Sequence, residues 1–127
     1  MIPPIIPPAR PVLSPPHTPL PKGACDCHFH IFDGPSSLAK ERSYTPPDAT
    51  YHDYQLVRET LGFTRSVIVQ PSVYGSDNQT TLFACQSDPN MKAVIVIDET
   101  VSDEALQVYA DAGAVGCRVN MLSLIHI

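Results

Sequence analysis

Tryptophan is absent from this chain, and so are several signatures that would fix a function at sight. Among its 6 glycines there is no glycine-rich phosphate loop and no dinucleotide fingerprint, which removes the usual nucleotide-binding motifs. The cysteines, Cys25, Cys27, Cys85 and Cys117, form no C-x-x-C pair, so neither a dithiol redox motif nor a zinc-finger spacing is available. Cys25 and Cys27 are also too close in sequence for an ordinary structural bridge. Cations are scarce: 8 Lys and Arg stand against 13 Asp and Glu, for a net charge of -5. A nucleic-acid-binding face needs a basic patch, and the nearest cluster, Lys40-Glu41-Arg42, contains its own acid, so no nucleic-acid partner is expected. No apolar run approaches the ~20 residues of a membrane span, and no membrane partner is expected. Residues 1–21 lack the charged start and continuous apolar segment of a secretory leader. A reducing cytoplasm with free thiols is the expected compartment.

Proline, by contrast, is plentiful and uneven. Nine of the 14 prolines fall within residues 1–21. Residues 1–22, MIPPIIPPARPVLSPPHTPLPK, can form neither a helix nor an inner strand, because proline removes donors and restricts the residue before it. They are expected to be an extended tail lying over the domain surface; a proline-motif ligand for a partner is the alternative. Residues 23–121 then form the domain.

Within that domain the hydrophobic pattern alternates. Residues 24–32 read as a strand and 33–50 as a loop. Residues 51–61 suit a helix, capped by Thr50, with Tyr54, Val57 and Leu61 on one face and Gly62 as its stop. Residues 66–70 are an apolar strand closed by Pro71. A helix is expected over 77–86, opening at Asp77, and a strand over 92–97. A third helix spans 103–111 between a Ser102 cap and Gly113, and a fourth strand covers 114–120. This order predicts a parallel α/β sheet, with the continuous apolar strands covered on both faces.

The polar residues choose between an open sheet and a barrel. By the strand period of two, Asp26, His28, His30 and Phe32 share one face of the first strand, and Cys25, Cys27, Phe29 and Ile31 the other. Gly116, Arg118 and Asn120 share a face of the fourth. An interior carrying Asp, His, His and Arg makes a poor core but a good barrel mouth, where ligand groups gather at the C-terminal strand ends. Four strands are half of an eight-stranded barrel of ~250 residues. The expectation is therefore the N-terminal half of a (β/α)8 TIM barrel, incomplete. The last six residues, Leu122-Ser123-Leu124-Ile125-His126-Ile127, read like the translation of a sequencing-library adaptor. Residues 122–127 are accordingly expected to be an artefact and the chain a fragment, inactive alone and prone to aggregate through open strand edges.

Two imidazoles at i and i+2 of a strand project together and can bind one divalent ion, or hold a carboxylate or carbonyl oxygen. Asp26 can orient His28 or act as structural support. Ser72, after the second strand, can hydrogen-bond a ligand or simply form a turn. Arg118 needs an anion, either an internal acid or a substrate carboxylate. Tyr44, in the long first loop, can reach over the pocket. Asp98 and Glu99 are expected to serve a loop.

The segments GACDCHFHIFD, RSYTPPDAT, LGFTRSVIVQPSVYGSDNQTTL and GAVGCRVN together resemble the amidohydrolase-related hydrolases of the amidohydrolase superfamily, and within them the 2-pyrone-4,6-dicarboxylate lactonase subgroup. The resemblance implies a barrel hydrolase that opens the lactone or ester of a small carboxylate substrate. It implies catalytic roles for His28 and His30 and substrate binding by Tyr44, Ser72 and Arg118. It implies that the general base is an aspartate of the last strand, beyond position 127. Many superfamily members bind one divalent metal such as zinc or manganese through the residues matching His28 and His30, whereas the lactonase subgroup works without one; both alternatives stay open. A metal-dependent decarboxylase or amide hydrolase of the same superfamily is a second reading. A small α/β module holding an anion with His28, His30 and Arg118 is a third.

Overall fold

The computed structural model describes residues 2–11 and 14–119; Asn120, Met121 and the LSLIHI segment lie outside the described residues. Strands and helices alternate: β1 (Cys25–Phe29), α1 (Tyr51–Leu61), β2 (Arg65–Val69), α2 (Gln79–Gln86), β3 (Met91–Val96), α3 (Asp103–Asp111) and β4 (Ala114–Arg118). The four strands pair in parallel in the order β1-β2-β3-β4.

Local chemistry sets the helix ends. The Thr50 hydroxyl accepts the Asp53 N–H at 3.1 Å while the Asp53 carboxylate accepts the Thr50 N–H at 2.8 Å, a reciprocal cap that starts α1. Gly62, at φ 87°, ends it in a left-handed turn that costs glycine nothing. Ser102 starts α3 by accepting the Ala105 N–H at 3.1 Å. The second helix begins at Gln79 rather than Asp77, because the Asp77 carboxylate is engaged by the Gln79 N–H at 3.3 Å and by the Ser37 N–H at 3.0 Å.

One core layer lies between helices and sheet. Tyr54 of α1, Ala84 and Cys85 of α2, and Ile68, Met91, Ala93 and Ile95 of the strands are buried together, with Tyr109 of α3 packed against them. All three helices therefore cover the same face of the sheet. A doubly wound sheet reverses its strand order and places helices on both faces. Sequential order with helices on one face is the (β/α)8 arrangement, here with the sheet not closed: among the described residues β1 and β4 each have one neighbour. The opposite face carries the alternate residues, Val67, Val69, Val94 and Val96.

The first strand departs from simple alternation. Asp26 pairs with Ser66 and Phe29 with Ile68, so the register shifts between them. Two residues, Cys27 and His28, stand opposite one, Val67: a β-bulge. In consequence Asp26 and Phe29 both reach Tyr54 of α1, Asp26 by accepting the tyrosine hydroxyl at 3.1 Å and Phe29 by stacking at 3.4 Å between ring centroids. This corrects the period-two expectation. Asp26 belongs to the helix layer, and Cys27, expected there as filler, is exposed with its thiol on the Cys25 carbonyl at 3.6 Å. Phe29, Ile31, His28 and His30 keep their expected sides.

Residues 4–6 of the tail pair with the loop between β1 and α1. Ile5 bridges Thr45, with Thr45 N–H to Pro4 O at 2.7 Å and Ile6 N–H to Thr45 O at 3.1 Å.

Candidate active site

The C-terminal ends of the neighbouring strands β1 and β2 meet through His30 and Val69. His28 and His30 stand there with ring centroids 5.1 Å apart, edge to face. Phe32 lies 5.8 Å beyond His30, and Tyr44 lies 6.4 Å from Phe32, also edge to face. The long loop thus folds back so that Tyr44 neighbours the histidine pair through Phe32.

His30 is fixed by the next strand. Its Nδ1 lies 2.8 Å from the Val69 carbonyl oxygen. A carbonyl only accepts, so Nδ1 carries the proton and Nε2 presents a lone pair. Burial depresses the His30 pKa; the Val69 hydrogen bond opposes this, and the charges of His28 and Arg118 add to the depression. At neutral pH His30 is therefore a neutral imidazole that can take a proton or bind a cation through Nε2.

Arg118 ends β4 opposite Val96. A Cβ on Gly116 would meet the Val94 side chain at 3.7 Å, which puts Gly116 and Arg118 on the valine face as expected. Arg118 is half-buried and has no ion-pair partner among the described residues. Its positive charge contributes to the lowering of the His30 pKa.

Ser72 follows β2 and opens a single 3₁₀ turn, Ser72–Tyr74, in which its carbonyl accepts the Gly75 N–H at 3.0 Å. Two buried amides hold this region. Gln70, missed by the sequence reading, donates to the carbonyls of Gly75 at 3.1 Å and Asp77 at 2.9 Å. Asn78 bridges to the end of β3, with Nδ2 donating to Val96 O at 2.8 Å and the Val96 N–H donating to Oδ1 at 3.0 Å. Asp98 serves its own loop by accepting from the Thr100 N–H and hydroxyl. A cleft of about 280 Å³ opens beside the C-terminal end of β3, lined by Val96, Asp98, Thr100, Ser102 and Tyr109; His28, His30, Ser72 and Arg118 do not line it.

The donor set for a metal is incomplete. Among the described residues no three His, Cys, Asp or Glu side chains converge as a metal site. His28 and His30 alone fall short of the three protein ligands that catalytic zinc sites use.

Comparison with known proteins agrees with this architecture. A family model described as amidohydrolase (Amidohydro_2) matches residues 25–123. A 2-pyrone-4,6-dicarboxylate hydrolase of Comamonas testosteroni is 40% identical over 113 residues, covering 86% of this chain and 37% of that protein. A 4-sulfomuconolactone hydrolase of Rhizobium radiobacter is 38% identical, covering 78% of this chain and 34% of that protein. A D-galactarolactone isomerase of Agrobacterium fabrum is 30% identical, with coverage of 82% and 37%. Among solved structures, a probable 2-pyrone-4,6-dicarboxylic acid hydrolase of Acinetobacter baumannii with citric acid bound superposes with a TM-score of 0.72 at 29% identity, over 81% of this chain and 41% of that one. This chain spans little more than a third of the length of the curated relatives it matches. By the family match, the shared parallel strand–helix order and the likeness to solved relatives, the chain belongs to the amidohydrolase family.

Proposed function

We propose that the whole protein is a hydrolase that opens the lactone or ester of a small dicarboxylate, such as 2-pyrone-4,6-dicarboxylate. The observation that carries this is Arg118, a half-buried guanidinium at the end of β4 on the face away from the helices, without an acid to pair with among the described residues. A cation so placed selects for a carboxylate brought by the substrate. The two lactone hydrolases among the relatives, and the relative solved with citric acid, support the same substrate class.

In this reading Arg118 holds one substrate carboxylate, and the hydroxyls of Ser72 and Tyr44 orient the ring. His28 donates to the carbonyl oxygen of the scissile ester, because the Nδ1 proton of His30 is already committed to Val69. Water adds to that carbonyl with loss of a proton to a base outside this chain. The tetrahedral oxyanion then collapses, the ring C–O bond breaks, and the leaving oxygen takes up a proton. His30 offers its Nε2 lone pair to the protons moved in these steps. The lactone isomerase among the relatives favours a second reading with the same substrate class and no net addition of water. Turnover in oxygen-labelled water separates the two, since hydrolysis alone places label in the product carboxylate.

The test of the carboxylate role is Arg118→Ala in the whole protein. One charge-assisted pair is worth roughly 1.5–3 kcal/mol, so kcat/KM for a dicarboxylate lactone is expected to fall about 10- to 100-fold. An uncharged lactone should lose at most a few-fold. Equal losses for both substrates would remove Arg118 from carboxylate binding.

A further inference from the structure

We propose that the N-terminal tail is a strap that fixes the Tyr44 loop over the mouth of the sheet, with Thr45 as the positioning residue. The connection from β1 to α1 has no helix or strand of its own, and a long structureless segment in a compact domain needs ties to hold one conformation. Its near end is tied by Phe32 N–H to Ala49 O at 2.9 Å. Its middle is tied by Ala39 N–H to Val73 O at 2.7 Å and by the Ser36 hydroxyl to Asp77 O at 2.8 Å. At the tip, which carries Tyr44, the partner is the tail.

Thr45 spends all its polar groups there. Its N–H donates to Pro4 O at 2.7 Å and its carbonyl accepts the Ile6 N–H at 3.1 Å. Its hydroxyl donates to Pro3 O at 3.2 Å and accepts from Arg42 Nε and Nη2 at 3.2 and 3.1 Å. Arg42 in turn closes the loop on Ala39 O at 3.0 Å. Successive side chains of an extended segment alternate in direction. Pinning Thr45 to the tail therefore turns Tyr44 the other way, toward Phe32 and the histidine pair. The composition suits the task. Pro3, Pro4, Pro7 and Pro8 hold the segment extended before it docks, which lowers the entropy lost on docking. Their missing N–H groups also stop the tail from recruiting a further strand.

The step from Tyr44's placement to substrate binding rests on the function proposed above; the strap itself does not, and its test needs no turnover. The whole protein is compared with Ile6→Pro, which removes the N–H to Thr45, and with a variant lacking residues 2–8. The readouts are amide exchange at Thr45 and the fluorine resonance of fluorotyrosine at position 44, assigned with Tyr44→Phe. Thr45 exchange is expected to quicken about fivefold or more in both variants, and the Tyr44 resonance to shift, while the amides of β3 keep their protection. Thr45→Val should move the Tyr44 resonance and Thr45→Ser should restore it. Unchanged Thr45 exchange and an unmoved Tyr44 resonance without the tail would overturn the proposal, as would an equal loss of protection throughout β3.

Discussion

Replacing Arg58 with Met probes the tie at the end of the sheet opposite the histidines. Arg58, in the last turn of α1, pairs with Asp88 in the connection from α2 to β3, with side chains only 16% and 6% exposed. Asp88 also accepts the Asn90 N–H at 2.8 Å and the Tyr51 hydroxyl at 3.3 Å. Removing one partner of a buried pair strands the other charge and costs about 3–5 kcal/mol. Because two neutral donors remain on Asp88, the lower end, about 3 kcal/mol, is expected at pH 7 in urea unfolding followed by circular dichroism. The pH dependence has a defined sign. Burial alone would raise the Asp88 pKa, but the Asn90 N–H and the Arg58 guanidinium outweigh it and hold the carboxyl below its usual range. The stabilisation is then present above the unfolded pKa near 3.9 and is lost as pH falls through the folded value. The gap between the parent chain and Arg58→Met should be widest at neutral pH and narrow in acid. Adding Asp88→Asn removes the stranded charge, so the double variant should regain stability over the single one. A single variant within about 0.5 kcal/mol of the parent, or a double variant no better than the single, would refute the buried tie.

Two further perturbations test how the site is assembled. Arg118→Gln removes a positive charge that depresses His30, so the His30 pKa, followed by nuclear magnetic resonance, is expected to rise; no change would separate Arg118 from the histidine pair. Asp26→Asn should lower the Tyr54 pKa, which is raised first by burial and then by the Asp26 charge, while leaving the His30 titration unmoved; a shift at His30 would return Asp26 to the mouth.

Helices α1 and α3 were legible to the residue because their limits are local: Thr50 with Asp53, Gly62 and Ser102 act within one turn. The second helix was read two residues early, since Asp77 looks like a cap and only the folded loop shows its carboxylate shared with Ser37. The parallel sheet followed from alternation, and its closure direction from where charge could be buried. Gln70 was read only as the last residue of an apolar strand. Its role depends on the carbonyls of Gly75 and Asp77 returning over it after the 3₁₀ turn, an arrangement no periodicity encodes. The tail's extended character was plain from its prolines, but its partner Thr45 lies across a loop whose path is set by tertiary contacts.

The first strand is the instructive case, because spacing and side of the sheet come apart there. A D-x-H-x-H run puts three polar groups on one face only if every residue advances the pleat by one step. The bulge at Cys27 and His28 inserts an extra step between Asp26 and the histidines, and it sits beside the site, where bulges commonly re-aim side chains. The aspartate then takes the Tyr54 hydroxyl on one oxygen and the backbone N–H of His28 at 3.2 Å on the other, and neither imidazole receives the carboxylate that the spacing had promised. What orients His30 instead is a backbone carbonyl, that of Val69 on the neighbouring strand. Any residue at position 69 supplies such a carbonyl, so no side-chain pattern could have announced it. The difference is chemical as well as geometric. A carboxylate partner would raise the basicity of the imidazole and favour its protonated form. A neutral carbonyl fixes the same tautomer without that charge, and with burial and the positive charge of Arg118 it leaves His30 neutral, its Nε2 lone pair free for whatever enters the mouth.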